Sequence, residues 1–430
     1  MIDHQETLSP VYSFRQSAPY INTHRGKTFV IAFGGRAITH ANFATLIHDI
    51  ALLHSVGIRL VLVYGSRPQI DEVLHKNAIA TQFHQGVRIT PHHAMPHILS
   101  AVGTNRLYIE SELSKGLANS PLFGAKISVI SGNFVNAKPF GVRDGVDFGL
   151  AGEVRKIDKD AINHNLTQNH IVLLGSLGFS ATGEIFNLET RQIASQTAIT
   201  LRADKLIFLD GEMGLMDENG NLIRELNTRT ATQFANNAKV ACALHACTHG
   251  VNRVHLLSYA KDGAMIEELF TTDGSGTMIS QNDYDHIRGA MARDVIGIMQ
   301  IIKPLEEQGI LISRSRERLE ESIEDFSVME RDGQIIGCVA LHILDEDSAE
   351  LASVAIHADY QRGERGESLL KFVEQKAKQL GKKRLFALTT RTLHWFIEHG
   401  FSETSPKSLP PERYQAWHNG RNSKVLVKAL

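Results

Sequence analysis

Asp359-Tyr360-Gln361-Arg362-Gly363-Glu364-Arg365-Gly366-Glu367 follows a β-branched run ending at Ile356 and opens onto a helical pattern with Leu369, Leu370, Val373 and Ala377 on one face. A strand that turns through glycines into a helix offers backbone amides and the positive end of the helix dipole, so this stretch is an anion-binding turn suited to a pyrophosphate. Upstream, apolar runs at 326–330 and 335–344 flank Arg331-Asp332-Gly333-Gln334. An Asp-Gly pair between two such runs predicts a hairpin. The next strand is 351–356, and the long helix is predicted over about 364–380. A strand at 385–389, a helix near Trp395 and a last strand at 424–428 complete an α+β domain built around the turn.

The first 280 residues carry a different pattern. Thr28-Phe29-Val30-Ile31 and Leu60-Val61-Leu62-Val63 bracket a helix with Phe43, Leu46, Ile47, Ile50 and Leu53 on one face. Further apolar runs at 171–174, 205–209 and 254–257 have the continuous character of strands buried on both sides. Alternation of such strands with helices predicts a three-layer αβα sandwich. The pattern changes after Ser280-Gln281-Asn282-Asp283, which predicts one domain over 1–280, a linker at 281–283 and a second domain over 284–430.

Bulk properties bound the chemistry. A chain of 430 residues is long enough for at least two cores. A formal charge of −2 gives no field that favours nucleic acid or an anionic membrane. Only Cys242, Cys247 and Cys338 are present, which argues for a reducing compartment rather than a disulfide framework. The start, Met-Ile-Asp-His-Gln-Glu-Thr, lacks the basic and apolar parts of a signal peptide, and no apolar run has the length of a membrane span. The expected location is the cytoplasm. Cys242, His245, Cys247 and His249 are metal-ligating types, but on a helix Cys247 points about 140° away from the other three, so no local four-ligand site can close and no metal is expected.

The turn after Ile356 resembles the acetyl-CoA pyrophosphate loop of the GNAT acetyltransferases. Gln361 and Gly366 match the ends of that pattern, and Glu364 stands at its middle glycine. Arg314-Ser315-Arg316-Glu317, 355–360, 388–396 and 421–426 extend the resemblance along the chain to the bacterial N-acetylglutamate synthases. That family joins an N-terminal amino acid kinase-like domain to a C-terminal GNAT domain. The resemblance implies acetyl-CoA as co-substrate and the α-amine of L-glutamate as acetyl acceptor. It implies acetyl-CoA contacts from Val354, Ala355, Ile356, Gln361, Arg362, Gly363, Glu364, Arg365 and Gly366. An α-amine is mostly protonated at neutral pH and only its neutral form attacks a thioester, so a base is needed. Glu350 lies where the family places it, and Thr389, with Tyr360 and Thr390 as alternatives, is the hydroxyl for the leaving thiolate. Arg314, Arg316 and Arg421 are the expected partners of the substrate carboxylates, since guanidinium forks suit planar carboxylates.

The first domain departs from the kinases it resembles. Where they carry Lys-x-Gly-Gly, this chain has Ala32-Phe33-Gly34-Gly35; where they carry His-Gly-Gly-Gly-Pro, it has Tyr64-Gly65-Ser66-Arg67-Pro68; and Glu189-Thr190-Arg191 replaces an Asn-Ala-Asp. Phosphoryl transfer depends on placed charge, so this half is expected to be catalytically silent. Residues 267–278 and Pro19-Tyr20-Ile21 are similar to the arginine site of arginine-inhibited N-acetylglutamate kinases. The resemblance implies an L-arginine effector held by Tyr20, Lys205, Glu268 and Gly276, and a homo-oligomer, a hexamer in arginine-sensitive relatives, joined through an N-terminal helix over about 10–18. Two other functions compete: an active kinase carrying a degenerate GNAT module, and a non-catalytic arginine-responsive regulator.

Overall fold

The computed structural model describes residues 10–116, 122–271, 274–281, 285–331, 333–361, 365–417 and 423–430. The chain forms two compact units, Met1–Asp283 and Tyr284–Leu430.

The first unit is built on an eight-stranded sheet of β1 (Thr28–Phe33), β2 (Arg59–Tyr64), β3 (Val129–Ile130), β4 (Ile171–Leu174), β5 (Lys205–Asp210), β6 (Glu225–Asn227), β7 (Arg253–Ser258) and β8 (Thr277–Ser280). Its spatial order is β6-β8-β7-β5-β1-β2-β4-β3, parallel except where β8 runs against β7. Period-2 alternation explains why both faces are covered. Phe29, Ile31, Leu60 and Leu62 pack against Phe43, Ile47 and Ile50 of the helix Phe43–Ser55. Val30, Val61, Val63 and Leu206 face the other way, onto the helices Thr190–Leu201 and Ala238–Thr248. The N-terminal helix α1 is longer than its sequence pattern, Pro10–His24, and packs on α2 (Ala264–Phe270): His24 Nε2 meets the Leu269 carbonyl at 2.9 Å.

The second unit holds a seven-stranded sheet of β9 (His286–Gly289), β10 (Phe326–Arg331), β11 (Gln334–Ile343), β12 (Ser348–Ile356), β13 (Arg384–Thr389), β14 (Ser402–Thr404) and β15 (Lys424–Ala429), in the order β9-β10-β11-β12-β13-β15-β14. β10 and β11 form the expected hairpin, with Gly333 at φ 79°. On one face, Val339, Leu341, Leu351, Leu385 and Ala387 pack against Leu369, Leu370, Val373 and Ala377 of a long helix, Arg365–Gln379. On the other face, α3 (Val295–Glu307) covers Phe326, Val328, Cys338 and Ala340. Further along that second face, Tyr414 and Trp417 of the helix Pro411–Trp417 cover Phe386 and Val425. Glu350 lies on the strand between these two covered areas.

Among the described residues, β12 and β13 are the only parallel neighbours in this sheet, and their ladder runs from Ser348↔Arg384 to Leu351↔Ala387. β12 continues to Ile356 paired only with β11, through an irregularity opposite Ser353, which has φ 52°. A left-handed serine costs of order 1 kcal/mol or more, a strain that is tolerated chiefly where it serves a site. Among the described residues, the 354–356 backbone has no ladder on its β13 side, so the two strands part beyond Leu351.

Candidate functional site

Two side-chain clusters stand out, one in each unit. In the second unit Glu350, Arg314, His342 and Arg413 gather beside the last rungs of the β12–β13 ladder, which ends at Leu351↔Ala387. Glu350 is buried on β12, and Arg413 grips its carboxylate with Nε and Nη2, the latter at 2.9 Å. This fork fits a carboxylate well and strengthens Arg413's hold on its proton, through the Glu350 hydrogen bonds first. His342 pairs with Glu350 across the β11–β12 ladder, so both side chains share a face. Arg314 reaches the same face: its Nη2 lies 3.4 Å from His342 Nε2, and its guanidinium stands 5.4 Å from the centre of the Phe326 ring. Burial pushes Arg314 below its ordinary value, against the pull of Glu350. Two cations and one carboxylate are thus gathered beside the point where the strands part, an arrangement that can receive a second carboxylate.

Thr389 ends β13 and is buried. Its Oγ1 accepts hydrogen bonds from the amides of Arg391 (3.3 Å) and Thr392 (3.0 Å) and lies 2.8 Å from the Thr392 hydroxyl. In the bond between the two hydroxyls either oxygen can be the donor, so the Thr389 O–H can point to Thr392 or be offered elsewhere. Cys338, near Arg314, is buried, and burial pushes its thiol up to about 12.

The expected acetyl-CoA contacts divide into three groups. Val354, Ala355 and Ile356 form the unladdered end of β12. Gln361 is exposed, and its Nε2 donates to the Ile356 carbonyl at 3.4 Å; Gly366 sits in the first turn of the helix Arg365–Gln379. Arg365 is engaged elsewhere, with Nε donating to Asp285 at 2.7 Å and Nη1 to the Tyr360 carbonyl at 3.2 Å. Arg362, Gly363 and Glu364 lie outside the described residues, as does Arg421. Arg316 is not brought to the cluster. It begins the short helix Arg316–Glu321, with its side chain 60% exposed and paired to Glu320, four residues on, at 2.7 Å. Helical periodicity turned it outward although Arg314, two residues earlier, faces in.

Sequence reasoning missed Arg413, His342 and Asp325, which accepts from His342 at 2.8 Å. A helix-start signal was available for the first: Pro410-Pro411-Glu412 immediately precedes Arg413.

In the first unit Lys205, His255 and Glu268 form a buried chain. Lys205 Nζ lies 3.4 Å from His255 Nε2, and His255 Nδ1 lies 2.7 Å from Glu268 Oε1. Lysine can only donate, so His255 is neutral with its proton on Nδ1. Burial, with Lys205 alongside, pushes His255 down, against Glu268. Burial would raise Glu268, but the His255 contact and the amides of Ser275 (2.7 Å) and Gly276 (3.0 Å) hold its carboxyl down at about 2. Gly276 admits no side chain, since a Cβ there would stand 2.3 Å from the Leu256 carbonyl oxygen. Tyr20, on α1, packs against the adjoining core. The structure therefore brings Lys205, Glu268 and Gly276 together and adds His255, which the sequence pattern did not single out.

The glycine loops at the C-terminal ends of β1 and β2 are filled by side chains. Gln69 donates to the Gly35 carbonyl at 2.8 Å, and a Cβ on Gly35 would meet Gln69 Oε1 at 2.1 Å; Thr190 Oγ1 stands 2.8 Å from the Cβ position of Gly65. Arg191 pairs with Glu189 at 2.5 Å. In the helix Ala238–Thr248, Cys247 faces the core while His245 and His249 stack at 4.3 Å. Among the described residues, no three His, Cys, Asp or Glu side chains are arranged to hold a metal ion, and no helix is long and apolar enough to cross a membrane.

Fold and site together define an acyltransferase of GNAT architecture joined to an amino acid kinase fold: the amino acid kinase family model matches residues 27–258, and the acetyltransferase (GNAT) family model matches 297–401. The amino-acid acetyltransferase of Ectopseudomonas mendocina (strain ymp) is 48% identical over 424 residues, covering 97% of this chain and 98% of that protein. The crystal structure of N-acetylglutamate synthase from Neisseria gonorrhoeae complexed with coenzyme A and L-arginine matches with a TM-score of 0.88 and 36% identity, covering 98% of this chain and 99% of that one. The same synthase complexed with coenzyme A and N-acetyl-glutamate gives a TM-score of 0.63 at 38% identity, with the same coverage. This chain belongs to the amino-acid acetyltransferase family, and it is an enzyme of that class.

Proposed function

We propose that this enzyme transfers the acetyl group of acetyl-CoA to the α-amine of L-glutamate, giving N-acetyl-L-glutamate and CoA. The observation that carries the reading is the buried Glu350 carboxylate at the parting of β12 and β13, flanked by Arg413 and Arg314. Acetyl-CoA supplies an activated thioester; it fits here because the 354–356 backbone is unladdered and a fifteen-residue helix begins at Arg365. The 354–356 backbone offers the amides on its unladdered edge to the thioester carbonyl, and Gly366 and the helix N-terminus offer donors to the pyrophosphate.

Arg413 and Arg314 receive the carboxylates of glutamate. Once a substrate carboxylate takes the Arg413 fork, Glu350 loses that partner and becomes the acceptor of the amine proton, directly or through water. The amine attacks the thioester carbon directly and CoA leaves as the thiolate; Cys338, the cysteine near Arg314, is buried. Thr389 holds its hydroxyl for the departing thiolate. The test incubates the protein with acetyl-CoA and a free-thiol reagent, with and without glutamate. CoA release that requires glutamate supports the reading, and release indifferent to glutamate overturns it.

The kinase-like unit is read as silent, with residues 1–280 forming the effector domain and 284–430 the transferase domain. Ala32 and Arg191 supply no phosphoryl-binding Lys or cation-organising Asp, and Gln69 fills the glycine loop. Incubation with ATP and N-acetylglutamate is expected to yield no acyl phosphate; product formation would overturn this part. L-arginine is read as an inhibitor bound by Lys205, His255, Glu268 and the Gly276 backbone, with Tyr20 beside it. The enzyme is further read as a cytoplasmic homo-oligomer joined through α1, whose Val11 and Phe14 are 57% and 70% exposed.

A further inference from the structure

We infer that His342, oriented by Asp325, is a positioning residue for glutamate: it holds Arg314 in place as an uncharged acceptor and makes the affinity for glutamate depend on pH. The inference rests on the reading of Arg314 as a carboxylate receptor.

The proton inventory fixes the tautomer. Arg314 Nη2, 3.4 Å from His342 Nε2, has only hydrogens to offer, so Nε2 must be the acceptor. The imidazole proton then sits on Nδ1 and is donated to Asp325 Oδ2 at 2.8 Å. The chain Asp325–His342–Arg314 thus runs from a carboxylate through a neutral imidazole to a guanidinium. Two local devices fix the backbone that carries Arg314. Its amide donates to Glu306 Oε1 at 3.1 Å, and the adjacent Ser315 caps the next helix by accepting from the Arg318 amide at 3.3 Å. The long side chain itself is steered by His342 and by the Phe326 ring.

Around His342 the charged groups are Asp325 from the turn before β10, Arg314, and Glu350 across the strand pair with Arg413 beyond it. Glu306 and Arg318 flank Arg314. When His342 takes up a proton, Nε2 turns from acceptor to donor and the ring gains a positive charge facing the guanidinium. Arg314 is then repelled from its place, so the Michaelis constant for glutamate should rise as pH falls.

The experiment measures kcat and both Michaelis constants of the full chain against pH for wild type, His342→Ala, His342→Gln, Asp325→Asn and Arg314→Ala. Loss of a charge-assisted hydrogen bond corresponds to roughly tenfold in affinity. His342→Ala is expected to raise the Michaelis constant for glutamate about tenfold at neutral pH, with that for acetyl-CoA unchanged. His342→Gln keeps an acceptor that cannot titrate, so it should retain most of the glutamate affinity and lose its acid-side weakening. Asp325→Asn removes the carboxylate that orients the ring through Nδ1 and should raise the Michaelis constant for glutamate, in the same direction as His342→Ala.

If Arg314→Ala leaves the glutamate constant unchanged, the carboxylate-receptor reading itself fails. If Arg314→Ala raises it while His342→Gln keeps the wild-type pH profile, the positioning role alone is overturned. Should His342→Ala fold poorly, the Gln and Asn profiles still decide the matter.

Discussion

At the scale of single residues, the Glu350–Arg413 pair makes a double demand. The guanidinium fork occupies one lone pair on each oxygen of the Glu350 carboxylate, and a substrate carboxylate is the natural competitor for that fork. Glu350→Gln should therefore leave acetyl-CoA binding nearly intact while lowering kcat by about 10² or more, as expected on removing a general base. An unchanged kcat removes Glu350 from that role. Arg413→Ala should raise the glutamate Michaelis constant by roughly tenfold or more and lower the melting temperature, because it strands a buried charge. The double variant Glu350→Gln/Arg413→Ala should melt higher than Arg413→Ala alone, since it removes the stranded charge; additive losses would argue that the pair is not coupled.

Glu268 carries a pH signature of its own. Its carboxyl is held down at about 2 in the folded protein, against an ordinary 4.5. A folded-state value below the unfolded one adds stability above about pH 4.5, and that stability is lost as pH falls towards 2. Acid unfolding of Glu268→Gln, followed by circular dichroism, is expected to be less steep over that window than for wild type.

At the scale of elements, the long and periodic pieces were legible and the short ones were not. β1, β2, β4, β5, β7 and the β10–β11 hairpin each carry four or more apolar or alternating residues bounded by turn residues, so local pattern and tertiary burial agree. β9 has only four residues, His286–Gly289, and forms because β10 supplies its ladder partner, which no local pattern announces. The helix Pro411–Trp417 is only seven residues long and packs its half-buried aromatics against the far end of the sheet; with it Arg413 was overlooked. His342 and His255 were invisible for a different reason: each lies inside an apolar run, and only strand pairing shows which carboxylates and cations they meet.

The turn expected to bind the pyrophosphate can be tested at one glycine. A Cβ on Gly366 would stand 3.4 Å from Trp395 Cζ2, an ordinary contact, and alanine favours a helix over glycine by up to about 1 kcal/mol. Gly366→Ala should therefore leave the melting temperature unchanged or slightly raised. If the backbone there lies against a pyrophosphate, the same variant should raise the Michaelis constant for acetyl-CoA with little effect on that for glutamate. A fully wild-type acetyl-CoA constant would show that this turn does not cradle the ligand closely.

At the scale of the whole molecule, the two clusters belong to different compact units, and regulation must join them. Arginine is expected to lower transferase activity, and Glu268→Ala to relieve that effect while leaving uninhibited turnover largely unchanged. The carboxylate contributes a charge-assisted contact to a guanidinium, so its loss should weaken arginine binding by roughly tenfold or more. Because Glu268 also orders the Ser275 and Gly276 amides, Glu268→Gln is the companion variant: it keeps an acceptor for those amides but removes the charge. Arginine can shift an equilibrium only by as much as it prefers one conformation to another, and the coupling is reciprocal. If arginine opposes substrate binding, acetyl-CoA with an unreactive glutamate analogue must weaken arginine binding by the same factor. Calorimetric titration of arginine with and without that pair measures it directly. Equal arginine affinity in both titrations, together with turnover indifferent to arginine, would end the sensor assignment for the kinase-like unit and leave the transferase chemistry of the second unit untouched.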